Sequence, residues 1–167
     1  GQGDFVMPGT DSSFMWQGMI PQDEIPFQYN PERGFISSAN QHPADTTYPY
    51  YLGNDYPIYR GLLINKKLTA MQGITPDDMM ALQTNNYNIF AEEVGPVLLK
   101  NTRVADLNAD EAKYFDMMRN WNLNDDAAEK GATVFELFWD NFYSAVYDDE
   151  FKNAPAAFYK HPWQSTL

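Results

Sequence analysis

Asn30-Pro31-Glu32-Arg33-Gly34-Phe35-Ile36-Ser37-Ser38-Ala39-Asn40 decides how the N-terminal part of this chain is read. Asn-Pro and the following Gly34 are turn residues. Phe35 to Ala39 is then a short β-leaning run that predicts a strand with Asn40 at or near its tip, before Pro43. Polar residues at strand ends are where sites are often built. Upstream, Phe14 to Ile20 reads as a second short strand, closed by Pro21. Prolines at 8, 21, 26, 31, 43, 49 and 57 leave room only for short extended segments and turns, so no helix persists in residues 1–57.

Beyond that point the periodicity becomes helical. Pro57 suits a first helical position, Tyr59, Leu62 and Leu63 form an apolar stripe, and Gly73 ends the segment. A second helix starts at Thr75 as N-cap, with Pro76 at N1, Asp77 and Asp78 in its first turn and Ile74 placed to staple against Met79; Leu82, Ile89 and Phe90 continue its apolar face. Asn108 and Glu111 have capping-box spacing for a third, which carries Phe115, Met118 and Trp121. A fourth runs from about Asp125 to Asp149, with Val134, Phe135, Phe138, Trp139, Phe142 and Val146 at helical spacing; these residues read as core or interface. The fold class is therefore α+β and mainly α: a few short N-terminal strands followed by a lobe of about four helices. Residues 1–57 and 58–167 differ in texture within one segment, and no linker divides them.

A length of 167 residues, with 44% hydrophobic and 16% aromatic content, is enough to enclose a core. The net charge of −12 excludes nucleic acid as a partner and disfavours anionic membrane surfaces, because phosphate affinity comes largely from cations. No apolar run approaches the roughly 18 to 20 residues that span a bilayer. With no Cys, there is no disulfide, thiolate nucleophile or Cys-based zinc site; the histidines, His42 and His161, are far apart and read as surface or hydrogen-bonded residues. Phosphate-loop, dinucleotide, HExxH, EF-hand and GxSxG signatures are all missing. The pairs Asp77-Asp78 and Asp125-Asp126 stand at expected helix starts, where the macrodipole favours anions without any metal. Tyr48, Tyr50, Tyr51, Tyr56 and Tyr59 crowd together as either a stacking face for sugars or peptides or a loop packed on a larger partner.

Generic folding does not call for the string Trp16-x-Gly18-x-Ile20-Pro21-x-x-Glu24-x-Pro26 followed by Asn30-Pro31-x-x-Gly34-Phe35-Ile36-x-x-Ala39-Asn40 and Tyr48-Pro49. It resembles the large subunit of the penicillin acylase family of N-terminal nucleophile hydrolases, with its W-x-G-x-I-P, N-P-x-x-G-x-I-x-x-A-N and Y-P stretches. The likeness continues through Tyr59-Arg60, Leu68 and Ile74 to Gln83, and again, more weakly, around Trp121 to Trp139. It implies an αββα sandwich and an amidohydrolase whose precursor cuts itself to expose an N-terminal Ser. That hydroxyl attacks the amide carbon while its own α-amine acts as base. Asn40 matches the family's oxyanion-hole Asn, and Arg60 matches an Arg close to the reaction centre that orients polar groups or a substrate carboxylate.

Departures from the family pattern shape the rest of the reading. Gly1 is no nucleophile and no Ser, Thr or Cys precedes Pro8, so the chain reads as an internal segment of the large subunit, inactive alone. No cofactor is expected: three residues after Tyr48-Pro49, where well-studied members offer an Asp to a structural calcium ion, this chain has Leu52, with Asp55 close by. The implied partners are the rest of the acylase, both small subunit and remaining large subunit, and a small N-acyl amide such as a penicillin or an acyl-homoserine lactone. Unpaired strands in residues 1–45 predict dimerisation through exposed edges or a loosely ordered N-terminal part. Export to the periplasm or outside the cell follows the family's habit. The competing reading is an inert, aromatic-rich binding or interaction module on the same scaffold.

Overall fold

The computed structural model describes residues 6–52 and 57–155, in two compact units, residues 1–73 and 74–167. Asp55, Tyr56 and His161 lie outside the described residues.

The first unit is built mostly of turns and one helix, α1, Tyr59–Ala70. Short 3-10 turns occupy Ser12–Phe14 and Gln22–Glu24. Asp11 caps the first by accepting from the Ser13 N–H at 2.9 Å, and the Pro21 carbonyl closes the second by accepting from Glu24 N–H at 3.0 Å. The strands expected at Phe14 to Ile20 and Phe35 to Ala39 are not formed: no strand occurs among the described residues, and the one β-bridge, Tyr87 with Asn124, is isolated and lies in the other unit. The reason is physical. β-propensity prepares a segment for pairing but the ladder needs a neighbour, and around Ser37 to Ala39 side chains take the place of one. Among its described residues Leu63, Leu68 and Ala39 are buried apolar residues, while Trp16, Met19, Phe27 and Tyr29 are largely exposed.

Among its described residues the second unit carries four α-helices: α2, Pro76–Gln83; α3, Ile89–Asn101; α4, Ala109–Arg119; and α5, Lys130–Phe151. Two of its starts follow from local sequence. At α2, Thr75 Oγ1 accepts from Asp78 N–H while the Asp78 carboxylate accepts from Thr75 N–H at 2.8 Å. At α4, Asn108 Oδ1 accepts from the Asp110 and Glu111 N–H groups, and Glu111 accepts from Asn108 N–H at 2.8 Å. Both are capping boxes, which satisfy amide donors that a helix cannot satisfy internally.

Where one helix is expected from Thr75 to Phe90 there are two, making five α-helices among the described residues. The break at 84–88 is held by partners distant in sequence: Asn88 N–H donates to the Leu123 carbonyl at 2.7 Å, Asp125 N–H to the Asn86 carbonyl at 3.0 Å, and Asn88 Oδ1 caps α3 by accepting from Ala91 N–H at 2.8 Å. The α5 helix begins at Lys130 rather than Asp125, so Asp125 and Asp126 do not stand at its start. Instead their carboxylates accept from the side chains of Asn88, at 3.3 and 3.4 Å, and Asn86, at 2.7 Å.

The core of this unit is aromatic. Ala91, Trp121, Ala132 and Phe135 are buried together, with Phe90, Leu98 and Met118 packed against them. Phe90 meets Phe135 and Trp139 edge-on, at centroid separations of 5.8 and 4.7 Å, a favoured geometry for rings of opposite edge and face charge. Trp121 donates its indole N–H to the Asn124 carbonyl at 2.7 Å. A β-carbon added at Gly131 would sit 2.4 Å from Trp121 Cβ and 2.7 Å from the Met117 carbonyl, so only glycine lets α5 start this close to the end of α4. Phe135 and Trp139 fulfil the core reading, whereas Phe138 is 37% exposed and lines a groove.

Candidate active site

The two site residues read from the sequence, Asn40 and Arg60, meet in the first unit. Their approach begins at the Asn30-Pro31 turn, closed by a Gly34 N–H to Pro31 carbonyl bond of 2.9 Å with Gly34 at a φ of 75°. That left-handed conformation suits glycine. Arg33 folds back over this turn: its Nε donates to the Phe35 carbonyl at 3.0 Å and its guanidinium lies 4.6 Å from the Phe35 ring centroid.

The segment then reaches α1, and Gln41 braces its backbone beside that helix. Gln41 Oε1 accepts from Ala39 N–H at 2.6 Å, and Gln41 Nε2 donates to the Ser37 carbonyl at 3.0 Å. One carboxamide thus satisfies a donor and an acceptor of the passing backbone, as a neighbouring strand would. Gly61 makes room for it, since a β-carbon there would lie 3.2 Å from Gln41 Oε1. Asn40 itself has a φ of 66°, in the left-handed region that Asn tolerates better than most residues. This conformation turns the chain at the end of the extended segment and sets the Asn40 side chain beside the first turn of α1.

There Arg60 Nη2 donates to Asn40 Oδ1. Arg has donors only, so the Asn40 atom facing it is the carboxamide oxygen. The planar amide must then direct its Nδ2 hydrogens away from Arg60, and the hydrogen bond also draws electron density toward the oxygen, sharpening Nδ2 as a donor. Both residues are exposed.

A second connection ties the Tyr48-Pro49 loop to the turn after Ile20-Pro21. Tyr48 donates its hydroxyl to the Glu24 carbonyl at 2.8 Å, and Tyr50 donates to the Glu24 carboxylate. The two rings meet edge-on at 5.6 Å. The bond to Glu24 holds the Tyr50 hydroxyl above the ordinary phenol range, because ionising it would set two anions side by side. Two members of the tyrosine cluster therefore join pieces of one motif; Tyr51 is 58% exposed. Glu24 stands in the motif without an assigned role, and Arg33, Gln41 and Asn65 are participants that sequence reading missed. For Gln41 the signal was its place directly after Asn40; for Asn65, its position one helical turn beyond Gly61.

In the second unit an apolar groove of about 600 Å³ runs between α4 and α5, lined in part by Leu107, Tyr114, Phe115, Val134, Leu137 and Phe138. No residue singled out for chemistry lies in it. Among the described residues no helix is long and apolar enough to cross a membrane.

Comparison with known proteins agrees with the motif that builds this corner. The family model for penicillin amidase matches residues 1–167. Penicillin acylase 2 proenzyme of Pseudomonas sp. (strain SE83) is 28% identical over 138 residues, covering 79% of this chain. The chain spans only 17% of that relative's length. No solved structure matches it. The chain belongs to the penicillin amidase family.

Proposed function

We propose that residues 1–167 are the oxyanion-binding corner of an acylase that hydrolyses linear N-acyl amides. The observation that carries this reading is the Arg60 to Asn40 hydrogen bond, which commits the carboxamide oxygen and turns Nδ2 away from Arg60 as a donor. In the reaction a nucleophilic hydroxyl supplied from outside these residues attacks the substrate carbonyl carbon. Its proton passes to an amine base, and the carbonyl oxygen becomes an oxyanion. Asn40 Nδ2 donates to that oxygen as its charge grows. A neutral donor already held in place needs no reorganisation at that moment, which is where such sites gain most of their effect. The base returns that proton to the leaving nitrogen as the intermediate collapses, breaking the C–N bond and releasing the amine. Water then attacks the acyl ester, passes through a second oxyanion at the same donor, and frees the carboxylic acid.

The reading requires no cofactor, and with Leu52 at the matching position it assigns this chain no calcium ligand there. It leaves the nucleophile, the acyl pocket and the covering of the exposed Trp16, Phe27 and Tyr29 to the rest of the protein, so this segment alone is inactive. There the extended residues 35–39 would gain sheet neighbours and complete the αββα layers. The substrates envisaged are penicillins, acyl-homoserine lactones and related N-acyl amines. Self-cleavage of a precursor, whose processing the proenzyme name of the Pseudomonas relative favours, and export from the cytoplasm complete the proposal.

The test is Asn40→Ala in the full-length protein. Processing and folding should persist while kcat falls about 100- to 1000-fold, the usual cost of one oxyanion donor. Arg60→Leu should reproduce much of that loss, whereas Arg60→Lys, which keeps a donor for Oδ1, should recover part of it. An Asn40→Ala protein with unchanged kcat would sink the assignment of Asn40, whereas a processed wild type without amidase activity would leave the inert binding module as the better reading.

A further inference from the structure

Asn65 lies on α1, half-buried, one turn beyond Gly61. Its side chain makes three hydrogen bonds. Nδ2 donates to the Gly61 carbonyl at 2.8 Å, while Oδ1 accepts from Ser37 Oγ and from Arg33 Nη1, both at 2.9 Å. A carboxamide oxygen has two lone pairs, and here both point at the segment that leads to Asn40. The bond to Gly61 fixes the amide on its own helix, so the two acceptor sites stand at defined places along α1.

Arg33 spreads this hold over the preceding turn, since it also donates to the Phe35 carbonyl at 3.0 Å and to Gln28 Oε1 at 3.1 Å. Residues 33 and 37 are thus tied to one oxygen atom of the helix that carries Arg60. Among the described residues no β-ladder sets where the segment lies along α1. Sliding it by a fraction of a residue would carry Asn40 Oδ1 out of reach of Arg60.

We propose that Asn65 is a positioning residue for catalysis: through Ser37 and Arg33 it sets the register of the segment on α1 and so aims the Asn40 amide. This inference rests on the reading of Asn40 as the oxyanion donor. Ground-state binding of substrate does not need that aim, but stabilisation of the transition state does.

The experiment uses the full-length, processed protein and the para-nitroanilides of acetic, hexanoic and phenylacetic acids. Asn65→Leu, close in shape but without hydrogen bonds, should lower kcat about 10-fold and leave KM within about two-fold, since small misplacements of a catalytic group cost up to about 100-fold. In an Asn40→Ala background the same substitution should cost nothing further, because the group it aims is gone. If Asn65→Leu does not fold, the pair Ser37→Ala, Arg33→Gln cuts the same links from the other side and should show the same dependence on Asn40. A loss that persists undiminished in the Asn40→Ala background would mean a merely structural role and overturn the inference. So would full kcat in Asn65→Leu while Asn40→Ala is crippled, and that result would leave the oxyanion reading standing. An Asn40→Ala protein with unchanged kcat, or a wild type inactive on all three anilides, overturns both.

Discussion

Phe135 is 1% exposed among Trp121, Phe90 and Trp139 in the second unit, whereas Trp16 and Tyr29 of the first are 80% and 88% exposed. The second unit buries Trp121, Phe135 and Trp139 in its own core, through a mechanism that is non-directional and tolerant of sequence. The first leaves Trp16, Phe27 and Tyr29 outside and holds its extended segment with directed bonds from Arg33, Gln41 and Asn65. A hydrophobic core fixes a fold, but only directed bonds fix one side chain to within the tolerance chemistry needs. The contrast explains why the recognisable motif falls almost wholly in the first unit.

The sharpest way to break this comparison is Phe135→Ala. Removing a fully buried aromatic ring should cost about 3–5 kcal/mol, melting the second unit and abolishing its near-ultraviolet circular dichroism. Gly131→Ala belongs with it, since its β-carbon would overlap Trp121 Cβ and the Met117 carbonyl. A second unit that kept its thermal transition within a few degrees in Phe135→Ala would show that the aromatic cluster is not its main support.

The next effect is smaller and runs against hydrophobicity. Gln41→Leu adds apolar surface at nearly constant volume, yet it removes the acceptor of Ala39 N–H and the donor to the Ser37 carbonyl. Stranding such groups costs about 1–3 kcal/mol. Amide exchange at Ala39 should accelerate and kcat in the full-length protein should fall, while the transition of the second unit stays in place. Slower exchange at Ala39 would mean that packing, not hydrogen bonding, holds the first unit.

How much of this could be read in advance follows from the range of each interaction. The starts of α2 and α4 were legible because a capping box lies within four consecutive residues. The break between α2 and α3 was not, because Asn86 and Asn88 act through Leu123 and Asp125, more than thirty residues away. For the same reason Asp125 and Asp126 were assigned to a helix start that actually lies at Lys130. Phe14 to Ile20 and Phe35 to Ala39 carry β-propensity, but propensity cannot supply the neighbour a strand needs. Asn40 and Arg60 were picked out by the motif, and the structure brings them into contact across twenty residues. The network that holds them was invisible, since Gln41 and Asn65 are ordinary amides until their partners are known.

The smallest effect uses pH to separate the two kinds of support. Partial burial is the main reason the Glu136 carboxyl lies above its ordinary value, with repulsion from Asp125 and Asp140 adding to it and the Asn88 hydrogen bond opposing it. In the first unit Asp45 lies below its ordinary value, because the Thr47 hydroxyl and amide donate to it. The signs are opposite. A carboxyl raised in the folded state favours folding at low pH, and that contribution is lost as pH climbs from the ordinary carboxylate range through the raised value. A lowered carboxyl favours folding at high pH, and its contribution is lost as pH falls through the lowered value. Glu136→Gln should therefore be more stable than the wild type near neutral pH, with the advantage vanishing below the ordinary carboxylate range. Asp45→Asn should be less stable near neutral pH and converge on the wild type in acid. Both differences should be small, because each residue keeps much of its surface in solvent. Thermal melts of the variants against wild type across that pH range measure them, and a Glu136→Gln advantage that did not change with pH would assign its effect to packing or hydrogen bonding rather than to the buried charge.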